Sequence, residues 1–228
     1  VTLITFIALI CLVLYHDKIS QNTYRVGCFF AIIGILTTYF DLLTFPIVSL
    51  GIPLLFYAYL QYKNDVNLIE AVKKVIFCCW SWFLGFGGMW AGKWVLASVI
   101  TDQNVILNAY NAMKFRSSDR LENMQQFDII DVLHNQLNSI DKNVIIVIAV
   151  VIICKFVFNL FSKHYKWEIK WKKILLYLFI MTLPFIWYRV LLNHSYIHAC
   201  FTYRNLTIFI CGLLFIVFDS LKTEKKQK

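Results

Sequence analysis

Residues 143–161 read NVIIVIAVVIICKFVFNLF, and residues 162–173 read SKHYKWEIKWKK. The first run is apolar on every side of a helix and close to the roughly 20 residues that cross a bilayer. The second carries Lys163, Lys166, Lys170, Lys172 and Lys173 in one short loop. A span followed at once by a basic loop points to a membrane fold and gives its orientation.

The same pattern extends outward from this pair. Apolar runs predict spans at 26–41, 46–62, 75–92, 174–192 and 205–221, preceded by an apolar run over 1–14. That first run is too short to cross alone, and neither a basic lead nor a small-residue cleavage site marks it as a signal peptide. It predicts the second half of a span, and the chain is expected to be the C-terminal part of a longer protein. The expectation is an all-α polytopic transmembrane helix bundle of about seven spans, the first truncated, in a single membrane domain over 1–228. Composition agrees: 60% of residues are hydrophobic and 15% charged, against about 45–50% and about 25% in soluble domains. The seven Cys are odd in number, lack Cys-x-x-Cys spacing and lie mainly in apolar runs. They indicate neither a disulfide framework nor a metal site, and no cofactor is expected.

Basic residues occupy alternate connections. Lys18 and Arg25, then Lys63, Lys73 and Lys74, then the five lysines of 162–173, then Lys222, Lys225, Lys226 and Lys228 make 14 of the 22. By the positive-inside rule these short loops and the C-terminus are cytoplasmic, in a multi-pass cell-membrane protein. The net charge of +9 is then a topology signal rather than a nucleic-acid surface. The lipid bilayer is the expected partner. Segment 93–142 falls on the extracytoplasmic side. Its start, Trp94–Ile100, is partly apolar and is expected to lie along the interface or re-enter. An amphipathic helix follows, with Asp119 and Glu122 as a capping pair and Leu121, Phe127, Ile130, Leu133 and Leu137 as its apolar repeat.

Three outer segments concentrate polar chemistry. Thr37, Thr38, Asp41 and Thr44 share a stripe if the helix continues, and a carboxylate at a membrane boundary either accepts a proton, holds a cation or caps the helix. Gly88 and Gly92 have the spacing of a close helix contact, and Lys93 between Trp90 and Trp94 suits an interfacial anchor or a lipid phosphate. Richest is 187–204, with Arg189, Asn193, His194, His198, Tyr203 and Arg204. His194 and His198 share a helical face, whereas Arg189 joins them only if the helix breaks near Asn193. Asp41, His194 and His198 are the candidate catalytic residues; Lys93, Arg189, Asn193, Tyr203 and Arg204 are the candidate substrate-binding residues.

The segments TTYFDLLTFP (37–46), GMWAGKW (88–94) and NHSYIHACFTYR (193–204) resemble those of uncharacterised bacterial multi-pass membrane proteins that look like GT-C-type glycosyltransferases. The resemblance implies transfer of a sugar from a polyprenyl-phosphate donor on the extracytoplasmic side, in cell-envelope glycan assembly. It places the usual catalytic carboxylate after a first span, in a region expected to precede Val1. Arg204, Arg189 and Lys93 would then pair with phosphate oxygens, and a His would act as donor or acid. A transporter or flippase of a lipid-linked or anionic substrate is the alternative, and a membrane acyltransferase using an intramembrane His is the third reading.

Overall fold

Hydrocarbon offers no water to an open backbone, so an apolar chain closes its hydrogen bonds within helices. The computed structural model describes residues 1–41, 43–62, 67–121, 126–161 and 165–225. The predicted loop cations Lys63, Lys163, Lys226 and Lys228 and the predicted cap Glu122 lie outside the described residues. Helices α1 (Thr2–Ser20), α2 (Thr23–Phe40), α3 (Val48–Gln61) and α4 (Leu68–Thr101) come first. Then follow α5 (Val105–Arg116), α6 (Ile129–Asn138), α7 (Lys142–Phe161), α8 (Trp171–Ile180), α9 (Leu183–Val190), α10 (Leu192–Ile197), α11 (Ala199–Thr202) and α12 (Thr207–Phe215). Among the described residues five stretches are long and apolar enough to cross a membrane: Thr2–Ser20, Thr23–Phe40, Leu68–Thr101, Trp171–Val190 and Ala199–Asp219. Most of the large apolar side chains of α7, from Val144 to Phe158, are exposed as well. This is a predominantly helical membrane protein.

Boundaries differ from expectation in instructive ways. Helix α1 does not stop at Leu14 but continues through His16, Asp17 and Lys18, with a kink at Tyr15. Polar residues end an apolar run without ending a helix, so hydropathy alone understated its length. Helix α4 likewise runs unbroken for 34 residues, carrying Trp94–Ile100 straight on instead of laying it along the interface. Nothing between Gly92 and Thr101 breaks a helix; the chain turns at Asp102, which adopts a left-handed φ of 52° that Asp tolerates better than most residues. The run 174–192 is divided by the turn at Met181 and Thr182 into α8 and α9. One short ladder accompanies the helices. Strands β1 (Tyr165–Ile169) and β2 (Leu221–Lys225) pair antiparallel, joining the basic loop to the C-terminal segment.

Helices α2 and α4 form the tightest pair of the bundle. A Cβ on Gly34 would lie 2.2 Å from the Trp82 carbonyl oxygen, and one on Gly85 would lie 2.1 Å from that of Ala31. Both backbones touch because neither position carries a side chain. By contrast, a Cβ at Gly88 or Gly92 meets nothing within 4 Å. The predicted Gly-x-x-x-Gly contact is therefore absent among the described residues, and the close approach sits one turn earlier, at Gly85. Phe30, Leu54, Cys78 and Trp82 fill the core around it.

At the basic end, Lys173 is not a loop charge. It lies in the first turn of α8 with its side chain 2% exposed, and its Nζ donates to Asp219 Oδ2 at 2.5 Å. Asp219 belongs to a π-helical turn, Ile216–Ser220, and accepts the Tyr177 hydroxyl at 2.6 Å on the same oxygen. The Lys173 ammonium also lies 5.8 Å from the Tyr59 ring centroid. Lys155 sits over the Phe218 ring.

Candidate functional site

The site begins where α2 stops. Asp41 turns extended (φ −114°, ψ 140°) while its N–H still reaches the Thr37 carbonyl at 2.8 Å. Its carboxylate then accepts the Thr44 N–H at 3.1 Å and the Thr44 hydroxyl, folding the next residues back on themselves. Leu43 takes a left-handed φ of 64°, a conformation that costs a non-glycine residue roughly 1–2 kcal/mol. Pro46 cannot continue α2, and α3 starts two residues later. The expected stripe on a continuous helix is thus replaced by a turn in which Asp41 is bonded to Thr44. Thr37 and Thr38 instead tie helices together: Thr37 meets the Ser49 hydroxyl at 2.7 Å, and Thr38 donates to the Phe86 carbonyl at 2.8 Å.

Three side chains from separate elements close on this turn. His194 Nε2 lies 2.8 Å from the Leu43 carbonyl oxygen. A carbonyl only accepts, so Nε2 carries the proton and Nδ1 of the neutral ring presents a lone pair. Lys93 donates to the Thr38 carbonyl at 2.9 Å and lies 5.1 Å from the Tyr39 ring centroid. The Arg204 guanidinium lies 5.3 Å from the Phe45 ring and 5.8 Å from that of Tyr203. Among the described residues neither Lys93 nor Arg204 has a carboxylate within 4.0 Å. The turn therefore gathers cation and imidazole chemistry while its own carboxylate is occupied by Thr44.

The helix breaks at Leu191, near the position required, yet Arg189 does not join the histidines. It remains exposed on α9. His198 does join, its ring centroid 4.8 Å from that of His194. Asn193 is buried and donates to the Arg120 carbonyl. Helix α6 starts later than predicted, because Asp128 caps it and Asp131 completes a capping box. Asp119 precedes it and pairs with Arg120. Its buried face is Val132 and Gln136 with Phe127, whereas Ile130 and Leu137 are exposed. Gln136 is not part of the expected apolar repeat, yet it is fully buried. Its spacing of four from Val132 was the available signal.

Burial pushes the His194 pKa below its ordinary value, helped by the neighbouring charges of His198 and Arg116. The Leu43 carbonyl and Asp41 act in the opposite direction. The folded protein consequently binds fewer protons here than the unfolded chain once pH drops below about 6.5. This contribution is intact above that pH and is lost on acidification. The melting temperature should fall between pH 7.5 and 5.5, and His194→Gln, which can still donate to Leu43, should flatten part of that slope. An unchanged slope would remove the buried neutral imidazole from the account.

Comparison with protein-family models, curated proteins and solved structures finds no match for this chain.

Proposed function

We propose that the chain belongs to an integral membrane glycosyltransferase of GT-C type that takes a sugar from a polyprenyl-phosphate donor on the extracytoplasmic face. The observation that carries this reading is the convergence of Lys93, His194 and Arg204 on the turn 38–45, with both cations lacking a carboxylate partner among the described residues. Cations held by aromatic rings and backbone at a membrane boundary suit a phosphate diester. In this reading the short basic loops and the C-terminus face the cytoplasm by the positive-inside rule, and the turn lies on the opposite face.

A lateral groove supports the lipid part of the reading. It has a volume of about 430 Å³ and is lined by residues including Ile47, Trp82, Phe83, Ile180, Trp187 and Val190. Ile47 stands two residues from Phe45, the ring beneath Arg204. An apolar chain in the groove would bring its phosphate to that end. In the reaction the acceptor hydroxyl oxygen bonds to the anomeric carbon as the bond from that carbon to the phosphate oxygen breaks. The phosphate departs with the electron pair toward Arg204 and Lys93, and the hydroxyl proton passes to Nδ1 of His194.

Arg204→Ala should lower transfer from a polyprenyl-phosphate sugar by roughly 10–100-fold, the worth of one charge-assisted contact. Unchanged turnover would take Arg204 out of the site. The buried Lys173–Asp219 pair favours a second reading, since ion pairs within spans accompany transport pathways. Counterflow of a lipid-linked substrate without covalent product would select it.

A further inference from the structure

No side chain of α5 is buried, although the helix is rich in apolar residues. Ile106, Leu107, Tyr110 and Met113 are 49–62% exposed. At about 100° per residue these four and Lys114 fall within about 120° of arc, with Asn108 and Asn111 outside it. The helix holds two basic residues, Lys114 and Arg116, and no acidic one. An apolar face of this kind marks contact with something other than water.

The depth of α5 follows from α4. Lys74 donates to the Thr23 hydroxyl at the basic end of the bundle, and from there α4 rises about 28 Å to Lys93 at 1.5 Å per residue. The hydrocarbon layer is about 30 Å thick, so Lys93 and its neighbours Trp90 and Trp94 mark the far edge, where such residues concentrate. A further rise of about 12 Å reaches Thr101 and brings the total close to the roughly 40–45 Å of a whole bilayer. After the turn at Asp102 the chain folds back, and the Val105 N–H donates to the Ser98 hydroxyl at 3.1 Å. Helix α5 then packs against α4 and α10, and Arg116 at its end is close enough to His194 for its charge to act on the ring. His194 is bonded to the same turn that Lys93 holds. Both ends of α5 thus lie between the levels of Lys93 and Thr101, within the headgroup layer.

We propose that α5 is an interfacial helix whose exposed apolar face is covered by lipid of the leaflet opposite the basic loops. Lipid is the occupant because the face continues that of α4, where Val95, Leu96, Val99 and Ile100 are exposed and apolar at the same depth. Lys114 lies inside the apolar arc, and its ammonium reaches the phosphates while its stem stays on the acyl side. Two cations and no carboxylate on the helix match an anionic headgroup. Amphipathic helices seated this way bury one face at the boundary between headgroups and chains. So placed, α5 walls one side of the turn 38–45 and carries Arg116 to it. The proposal holds whether or not the chain transfers a sugar.

The test uses the full chain in vesicles of phosphatidylcholine and phosphatidylglycerol, with a small share of lipid carrying a diazirine near the glycerol end of its acyl chain. After photolysis, mass spectrometry of the digested protein should find lipid adducts on Ile106, Leu107, Tyr110 or Met113, at a yield comparable with that on residues 95–100. Asn108 and Asn111 should stay unmodified. The double variant Ile106→Asn, Tyr110→Asn should lose α5 adducts roughly tenfold, the equivalent of withdrawing two half-exposed apolar side chains from lipid. Its adducts on 95–100 should persist, which shows that the variant has folded and inserted. Labelling of 95–100 without labelling of α5 in the wild type would overturn the proposal. Equal α5 labelling in wild type and variant would also overturn it, because α4 and α10 alone would then place the helix. A lysine-reactive crosslink joining Lys114 of two chains, with no lipid adduct on α5, would give the face to a second copy instead.

Discussion

Lys173→Met is expected to cost about 3–5 kcal/mol of unfolding free energy, the usual penalty for leaving a buried charge without its partner. Met keeps the volume of the side chain, so packing changes little. What is lost is the ammonium 2.5 Å from Asp219 Oδ2, leaving the carboxylate with the Tyr177 hydroxyl as its remaining donor among the described residues. The double variant Lys173→Met, Asp219→Leu should recover most of the loss, because removing both charges also removes their desolvation. Unfolding in mixed micelles measures both. A double variant as unstable as the single one would mean that shape, and not charge, decides the site. Asp219→Asn should fall between them, since it keeps an acceptor for both donors.

Gly85→Ala should destabilise by about 3 kcal/mol, at the upper end of ordinary overpacking. The added methyl would stand 2.1 Å from the Ala31 carbonyl oxygen, and a backbone atom in a helix cannot rotate away. Relief requires α2 and α4 to separate, which also loosens the bond from Thr38 to the Phe86 carbonyl. Gly88→Ala is the control. It meets open space and should be neutral or stabilising by up to about 1 kcal/mol through helix propensity. Equal losses in the two variants would show that glycine acts through backbone flexibility and not through contact.

The sequence was informative where one physical effect acts alone. Hydrocarbon selects apolar helices, so the membrane fold followed from 143–161 and its counterparts. The clustering of Asp41, His194 and Arg204 was also legible in part, because polar residues at one end of apolar runs have few places to go. What was hidden depends on who meets whom. Lys173 reads as one more loop cation until Asp219 is placed opposite it, 46 residues away. Gly85 and Gly88 are equivalent as text, and only the position of α2 distinguishes them. Arg189 shows the converse: the required break at Leu191 occurred, but the side chain stayed outside. Likewise Gln136 is polar by type and buried by context, and its spacing of four from Val132 is the one trace of that in the sequence.

Helix α4 has a further consequence. Its 34 residues extend about 51 Å at 1.5 Å per residue, against about 30 Å of hydrocarbon. Val95, Leu96, Val99 and Ile100, in its last two turns, are exposed and apolar, so they seek the lipid edge while Lys93, one turn below, is fixed to Thr38. The position of that ammonium is therefore coupled to the thickness of the surrounding bilayer, through mismatch between the helix and the acyl layer. A thinner membrane would draw the upper turns inward and strain the Lys93 contact; a thicker one would relieve it. The lipid would then set the geometry of the turn as well as solvate the bundle.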